Sequence, residues 1–126
     1  MAGRRQARRS ALVLLYQWDL TGQPIGSLFL GDIDPFSLRL ALEVSERAEG
    51  LDERITAASE GWTADRLGTV ERNVIRMALH ELDDGSVPLE VALGEAVRLA
   101  KRYASDDAAR LVNGILGRLA RERSAA

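Results

Sequence analysis

Apolar residues recur along the chain at intervals of three and four, and no stretch sustains the apolar–polar alternation of a strand. Ala11, Leu14, Leu15 and Trp18 form an i, i+3, i+4, i+7 stripe, predicting a helix over Arg4–Leu20 that Gly22 and Pro24 stop. Asp34-Pro35, a capping side chain followed by proline at the first helical position, predicts a second helix to about Glu49. Gly50 punctuates it, and a shorter helix is expected over Leu51–Ser59, then a turn around Asp65–Leu67. The most apolar segment, Val70–Leu82, reads as a buried helix with Thr69 as its cap and Glu71 placed to meet the helix dipole. Asp83-Asp84-Gly85-Ser86 reads as a loop.

Pro88 opens the next helix, to Tyr103, with Val91, Leu93, Ala96, Val97 and Ala100 available to the core. Ser105-Asp106-Asp107 caps the last, whose inward set is Ala108, Leu111, Val112, Ile115, Leu116 and Leu119, with fraying expected over Arg121–Ala126. The fold class that follows is all-α: a compact single-domain helical bundle of five main helices plus one or two short ones, spanning residues 1–126.

The 126 residues suit one domain, and 46% hydrophobic with 29% charged residues excludes wholesale disorder. Without cysteine there is no disulfide scaffold, no cysteine-held metal and no thiol catalysis. No apolar run approaches the roughly 18 residues of a membrane span, and the Arg-rich start lacks the apolar core of a signal peptide. No membrane association and a cytoplasmic location are expected. The net charge of −2 conceals a split: +3 over residues 1–31, −7 over 32–84 and +2 over 85–126. Separate basic and acidic surfaces, and two kinds of partner, are the implication.

Catalytic chemistry finds little support. His80 is the one histidine and sits among apolar neighbours, so no second imidazole supports a metal site. There is no phosphate-binding glycine loop, nucleophile elbow or zinc-protease motif, and Asp65 and Glu71 read as helix-start carboxylates. No enzyme activity, metal or cofactor is expected.

The amino end is more informative. Arg4, Arg5, Arg8 and Arg9 fall at positions that a helix gathers along one side, next to an already positive helix terminus. An external phosphate suits this cluster, because guanidinium binds it bidentately. Tyr16, two turns on, offers a surface on which a base stacks. A second basic group, Lys101-Arg102-Tyr103 with Arg110 beyond it, has an ordinary dipole explanation unless the fold joins it to the first. Arg76 and Glu95, charges within apolar stretches, are expected to form a structural ion pair, since an unpaired buried charge is costly. Asn113-Gly114 in the last helix is expected to serve close packing.

Four segments, RRQARRSALVLLYQW (4–18), VERNVIRMALHEL (70–82), VPLEVALGEAVRLAKRY (87–103) and LVNGIL (111–116), together resemble the NusB family of transcription antitermination factors. The resemblance spans most of the chain and is weaker from about Gln23 to Arg66. It implies an all-helical, non-catalytic protein that binds the boxA element of nascent ribosomal RNA together with the ribosomal protein NusE. Elongating RNA polymerase and the other Nus factors would be the wider partners. By position it implies an RNA-binding set of Arg4, Arg5, Arg8, Arg9, Tyr16, Glu71, Lys101, Tyr103, Asp107, Arg110 and Leu111. Leu111 departs from the aromatic usual before Val-Asn-Gly, His80 from a common tyrosine, and Gly94 from a usual asparagine. The acidic middle of the chain is the expected face for a basic ribosomal protein. Two other functions stay open at this point: an RNA-targeting module like that of ribosomal RNA cytosine methyltransferases, and a protein-binding bundle with inert arginines. So does a homodimer.

Overall fold

The computed structural model describes residues 3–125; Met1, Ala2 and Ala126, ends of the expected domain, lie outside the described residues. Five α-helices follow one another: α1 (Arg4–Thr21), α2 (Pro35–Ala58), α3 (Thr69–Asp84), α4 (Leu89–Tyr103) and α5 (Asp106–Ala125). Two single 3-10 turns, Ile25–Ser27 and Ala64–Arg66, sit in the connections, and there is no strand among the described residues.

Local chemistry explains most boundaries. The Asp34 carboxylate accepts from the Ser37 N–H at 3.0 Å, with Pro35 starting α2. The Ser105 hydroxyl accepts from the Ala108 N–H at 3.0 Å and starts α5. Helices α1 and α3 end on Gly22 and Gly85, at φ 74° and 73°, the left-handed conformation that favours glycine.

Several boundaries differ from expectation: Asp83 and Asp84, expected in a loop, end α3, and Pro88 caps α4 rather than opening it. Gly50 does not divide α2, which runs unbroken through it. A mid-helix glycine costs only about 1 kcal/mol, and the buried face of Ala48, Leu51 and Ile55 on either side outweighs that. Thr69 is the first helical residue of α3, with Gly68 before it as the N-cap. The last helix continues through the segment expected to fray, as far as Ala125.

Helix α3 is the axis of the bundle and packs against all four others. Every residue from Asn73 to Glu81 is buried, the pattern of a helix surrounded on all sides. Its polar residues are therefore buried too, and each is satisfied from a neighbour. Arg76 donates to Asp19 of α1 at 3.0 Å and to Asp52 of α2 at 2.6 Å. Asn73 and Arg72 reach the same Asp19 carboxylate. His80 lies between Glu43 and Arg47 of α2, and Glu81 takes a bidentate pair from Arg8 of α1. Among the described residues no buried side-chain nitrogen or oxygen lacks a partner.

The expected Arg76–Glu95 pair is not formed. Arg76 faces α1 and α2, whereas Glu95 of α4 accepts from Arg5 at 2.8 Å and Arg98 at 2.9 Å. Both charges do need partners; the two sit on faces of α3 and α4 that do not meet. Gly114 does not serve close approach either. A Cβ there would have nothing within 4 Å, and the Asn113-Gly114 pair is exposed.

Asp83, at the end of α3, ties three helices together through Arg47 and Arg54 of α2 and Arg123 of α5. Burial pushes its carboxyl up, but hydrogen bonds from Arg54 and Arg47 outweigh this and hold it at about 2, against an ordinary 3.8. A depressed folded pKa stabilises above the unfolded value and is lost as pH falls through the folded one. Between pH 4 and pH 2 the protein is therefore expected to lose on the order of 1 kcal/mol through this group, since solvent screens its exposed arginine partners. Urea unfolding at pH 4 and pH 2 checks this, with Asp83→Asn expected to lose correspondingly less over the interval.

Candidate nucleic-acid interface

The four amino-terminal arginines do not form one ridge. Helical geometry sorts them into two rows, Arg4 with Arg8 and Arg5 with Arg9. The first row turns toward α2 and α3. The Arg8 guanidinium is buried, with Nε and Nη2 donating to Glu81 at 2.9 and 2.8 Å. That pairing raises its pKa against the opposing effect of burial. Arg4 stacks on Phe36 at 3.9 Å from the ring centre. The reading of Arg8 as a residue open to RNA is thus corrected, because both carboxylate oxygens it would trade for a phosphate belong to its own chain.

The second row turns toward α4. Arg5 stays largely exposed while donating to Glu95, and Arg9 makes no ion pair among the described residues. Arg9 lines a cleft of about 340 Å³ with Tyr16, Tyr103, Val13, Gln17 and Val70. The basic end of α4 thereby meets the first helix, through Tyr103. Tyr16 and Tyr103 are 41% and 40% exposed, as aromatic faces available to a ligand must be. A hydrogen bond from Arg102 at 3.3 Å, reinforced by Arg9, holds the Tyr103 phenol below its ordinary range.

A second, larger cleft of about 640 Å³ opens between the start of α3 and the outer face of α5. Glu71, Arg110 and Leu111 line it together with Trp62, Gly114 and Arg118. Val70 and Glu71 are neighbours in the first turn of α3 and belong one to each cleft, so the two lie side by side. The Glu71 carboxylate folds back over Gly68, where a Cβ would come within 2.5 Å of it, so it also serves the helix start. Leu111, expected inward, is 41% exposed and offers an apolar contact on the cleft wall. Asp107 pairs with Arg110 one turn along α5, and Lys101 is exposed on α4 without lining either cleft.

Three contributors escaped the sequence reading. Trp62 is 55% exposed, and an aromatic next to a glycine turn was the available signal. Arg102, named with the second basic group but outside the RNA-binding set, donates to the Tyr103 hydroxyl, and Gly114, expected to serve packing, lines the larger cleft. On the other side of α1, Glu49, Glu53 and Asp65 border a shallow depression in which Arg76 pairs with Asp52. This depression gathers acids from the segment that carries the −7 charge.

The model of the NusB family matches residues 5–121. The chain belongs to the NusB family. It is 38% identical to the transcription antitermination protein NusB of Salinispora tropica, over 95% of this chain and 96% of that one. Against the NusB of Solibacter usitatus identity is 33%, covering 97% and 91%. A crystal structure of antitermination factors NusB and NusE in complex with double-stranded RNA superposes with a TM-score of 0.82 at 30% identity, covering 94% of this chain and 96% of that one. NusB proteins are transcription antitermination factors and not enzymes. The all-helical bundle read from the sequence is the NusB fold.

Proposed function

We propose that this chain acts as a transcription antitermination factor that binds the boxA element of nascent ribosomal RNA together with the ribosomal protein NusE, and so keeps RNA polymerase from terminating early. One observation carries the reading. A family match over nearly the whole chain coincides with a surface on which Arg9, Tyr16 and Tyr103 line one cleft, beside Glu71, Arg110 and Leu111 in the next.

The chemistry of that surface fits single-stranded RNA. Exposed tyrosine rings stack unpaired bases, and arginines hold phosphates. Glu71 and Asp107 accept from base amino groups, which gives selectivity rather than bulk attraction. Of the residues assigned to RNA by family position, Arg9, Tyr16, Glu71, Tyr103, Arg110 and Leu111 are the contacting set we retain, with Arg5, Lys101 and Asp107 at its edge. Arg8 supports the face from beneath, and Arg4 lies beside Phe36 on another side. The charge of a basic ribosomal protein favours the acidic depression around Glu49, Glu53 and Asp65.

Among the described residues no helix is long and apolar enough to cross a membrane, and the cytoplasm is the setting this function requires. The test is a polarisation titration of boxA RNA and a scrambled control, with and without purified NusE. Tighter binding of boxA, strengthened by NusE, is expected. Equal affinity for both RNAs under both conditions would exclude the reading.

A further inference from the structure

A third, smaller cleft of about 160 Å³ lies on the far side of the Arg9–Tyr103 wall, lined by Arg5, Arg9, Arg98 and Arg102 with Gln6 and Leu99. Four arginines from two helices line it, and two of them, Arg5 and Arg98, meet on one carboxylate. Glu95 accepts from Arg5 at 2.8 Å and from Arg98 at 2.9 Å. Arg9 and Arg102 have no acidic partner among the described residues. The dipole of α4 accounts for Arg102 standing in its last turn. It does not account for Arg5 and Arg9, from the amino end of α1, lining the same small space. Like charges gathered in this way are stabilised by an anion that binds between them.

Arg9 and Tyr103 line this cleft and the aromatic cleft alike. We infer that the two compartments form one nucleotide seat: an RNA base lies against Tyr16 and Tyr103, and the adjoining phosphodiester enters the four-arginine cleft, held by Arg98 and Arg102 as well as Arg5 and Arg9. The inference rests on the RNA-binding reading above and deepens it, by adding Arg98 and Arg102 and by fixing which side of Tyr103 the backbone takes. Glu95 is a positioning residue in this seat. It orients Arg5 and Arg98 while leaving the cluster a surplus of positive charge.

The test is an anisotropy titration of boxA RNA over a series of salt concentrations, using the full chain and its Arg98→Gln/Arg102→Gln variant. A second RNA carries an uncharged methylphosphonate at one linkage at a time. The variant is expected to bind about tenfold more weakly, as loss of charge-assisted hydrogen bonds implies. Its plot of log affinity against log salt is expected to be shallower by about 0.7, the contribution of one phosphate on a single strand. One methylphosphonate position should weaken the wild type to the same degree and leave the variant unaffected. Arg102→Gln alone breaks no ion pair, and it should give part of the same change with an unaltered melting temperature. Wild-type binding with an unchanged salt slope in both variants overturns the phosphate seat and leaves the RNA reading standing. Failure of the wild type to prefer boxA overturns that reading and this inference with it.

Discussion

Replacing Arg8 with alanine is expected to destabilise the fold by about 3–5 kcal/mol, the cost of stranding a buried carboxylate. Both side chains of the Arg8–Glu81 pair are only 5% exposed, and the contact is bidentate. Glu81 is only 4% exposed, within the buried stretch of α3, so water replaces the lost guanidinium poorly. Glu81→Ala should cost a similar amount. The double variant Arg8→Met/Glu81→Leu should recover most of the loss, because apolar groups of like volume need no partner. Urea denaturation of the four proteins measures this. Single variants as stable as the wild type would mean that the pair is hydrated in solution. Removing Arg8 and Arg9 together to test RNA binding confounds folding with contact, because only Arg9 is free to meet a ligand.

The second large effect is expected at Tyr16. Base stacking on an aromatic is worth about 1–3 kcal/mol per base, so Tyr16→Ala should weaken boxA RNA binding roughly tenfold to a hundredfold. A ring carries no charge, so the salt slope should stay that of the wild type. Arg9→Ala should weaken binding about tenfold and make the slope shallower by about 0.7. Tyr16 is 41% exposed and Arg9 is exposed, so neither change should shift the melting temperature appreciably. A Tyr16 variant that binds normally would remove the aromatic cleft from the RNA surface. Contrasting salt dependence in the two variants separates stacking from phosphate contact in a single data set.

The bundle was legible in the sequence because helix signals are local. Apolar spacing, Asp34-Pro35, Ser105 and the glycines after α1 and α3 act within a turn or two of themselves. Gly50 misled because a propensity cost of about 1 kcal/mol yields to burial of Ala48, Leu51 and Ile55, which the local pattern does not weigh. The need of Arg76 and Glu95 for partners could be read, but not that Arg76 takes Asp19 and Asp52 or that Glu95 takes Arg5, since these are distant in sequence. The same limit governs the arginines at positions 4, 5, 8 and 9. Their spacing is visible in the chain, yet whether a row meets Glu81 or open solvent depends on which helix lies opposite. Resemblance to the family supplied the function, and physical packing decided which of its implied contacts remain available.

Where RNA lies on this surface is the decisive question. Amide chemical-shift mapping of the labelled protein, titrated with boxA RNA, addresses this directly. Shifts concentrated at Arg9, Val13, Tyr16, Glu71, Tyr103, Arg110 and Leu111, with Glu49, Glu53 and Asp65 unmoved, are the predicted result. Shifts centred on the acidic depression, with the Tyr16–Tyr103 cleft silent, would contradict it.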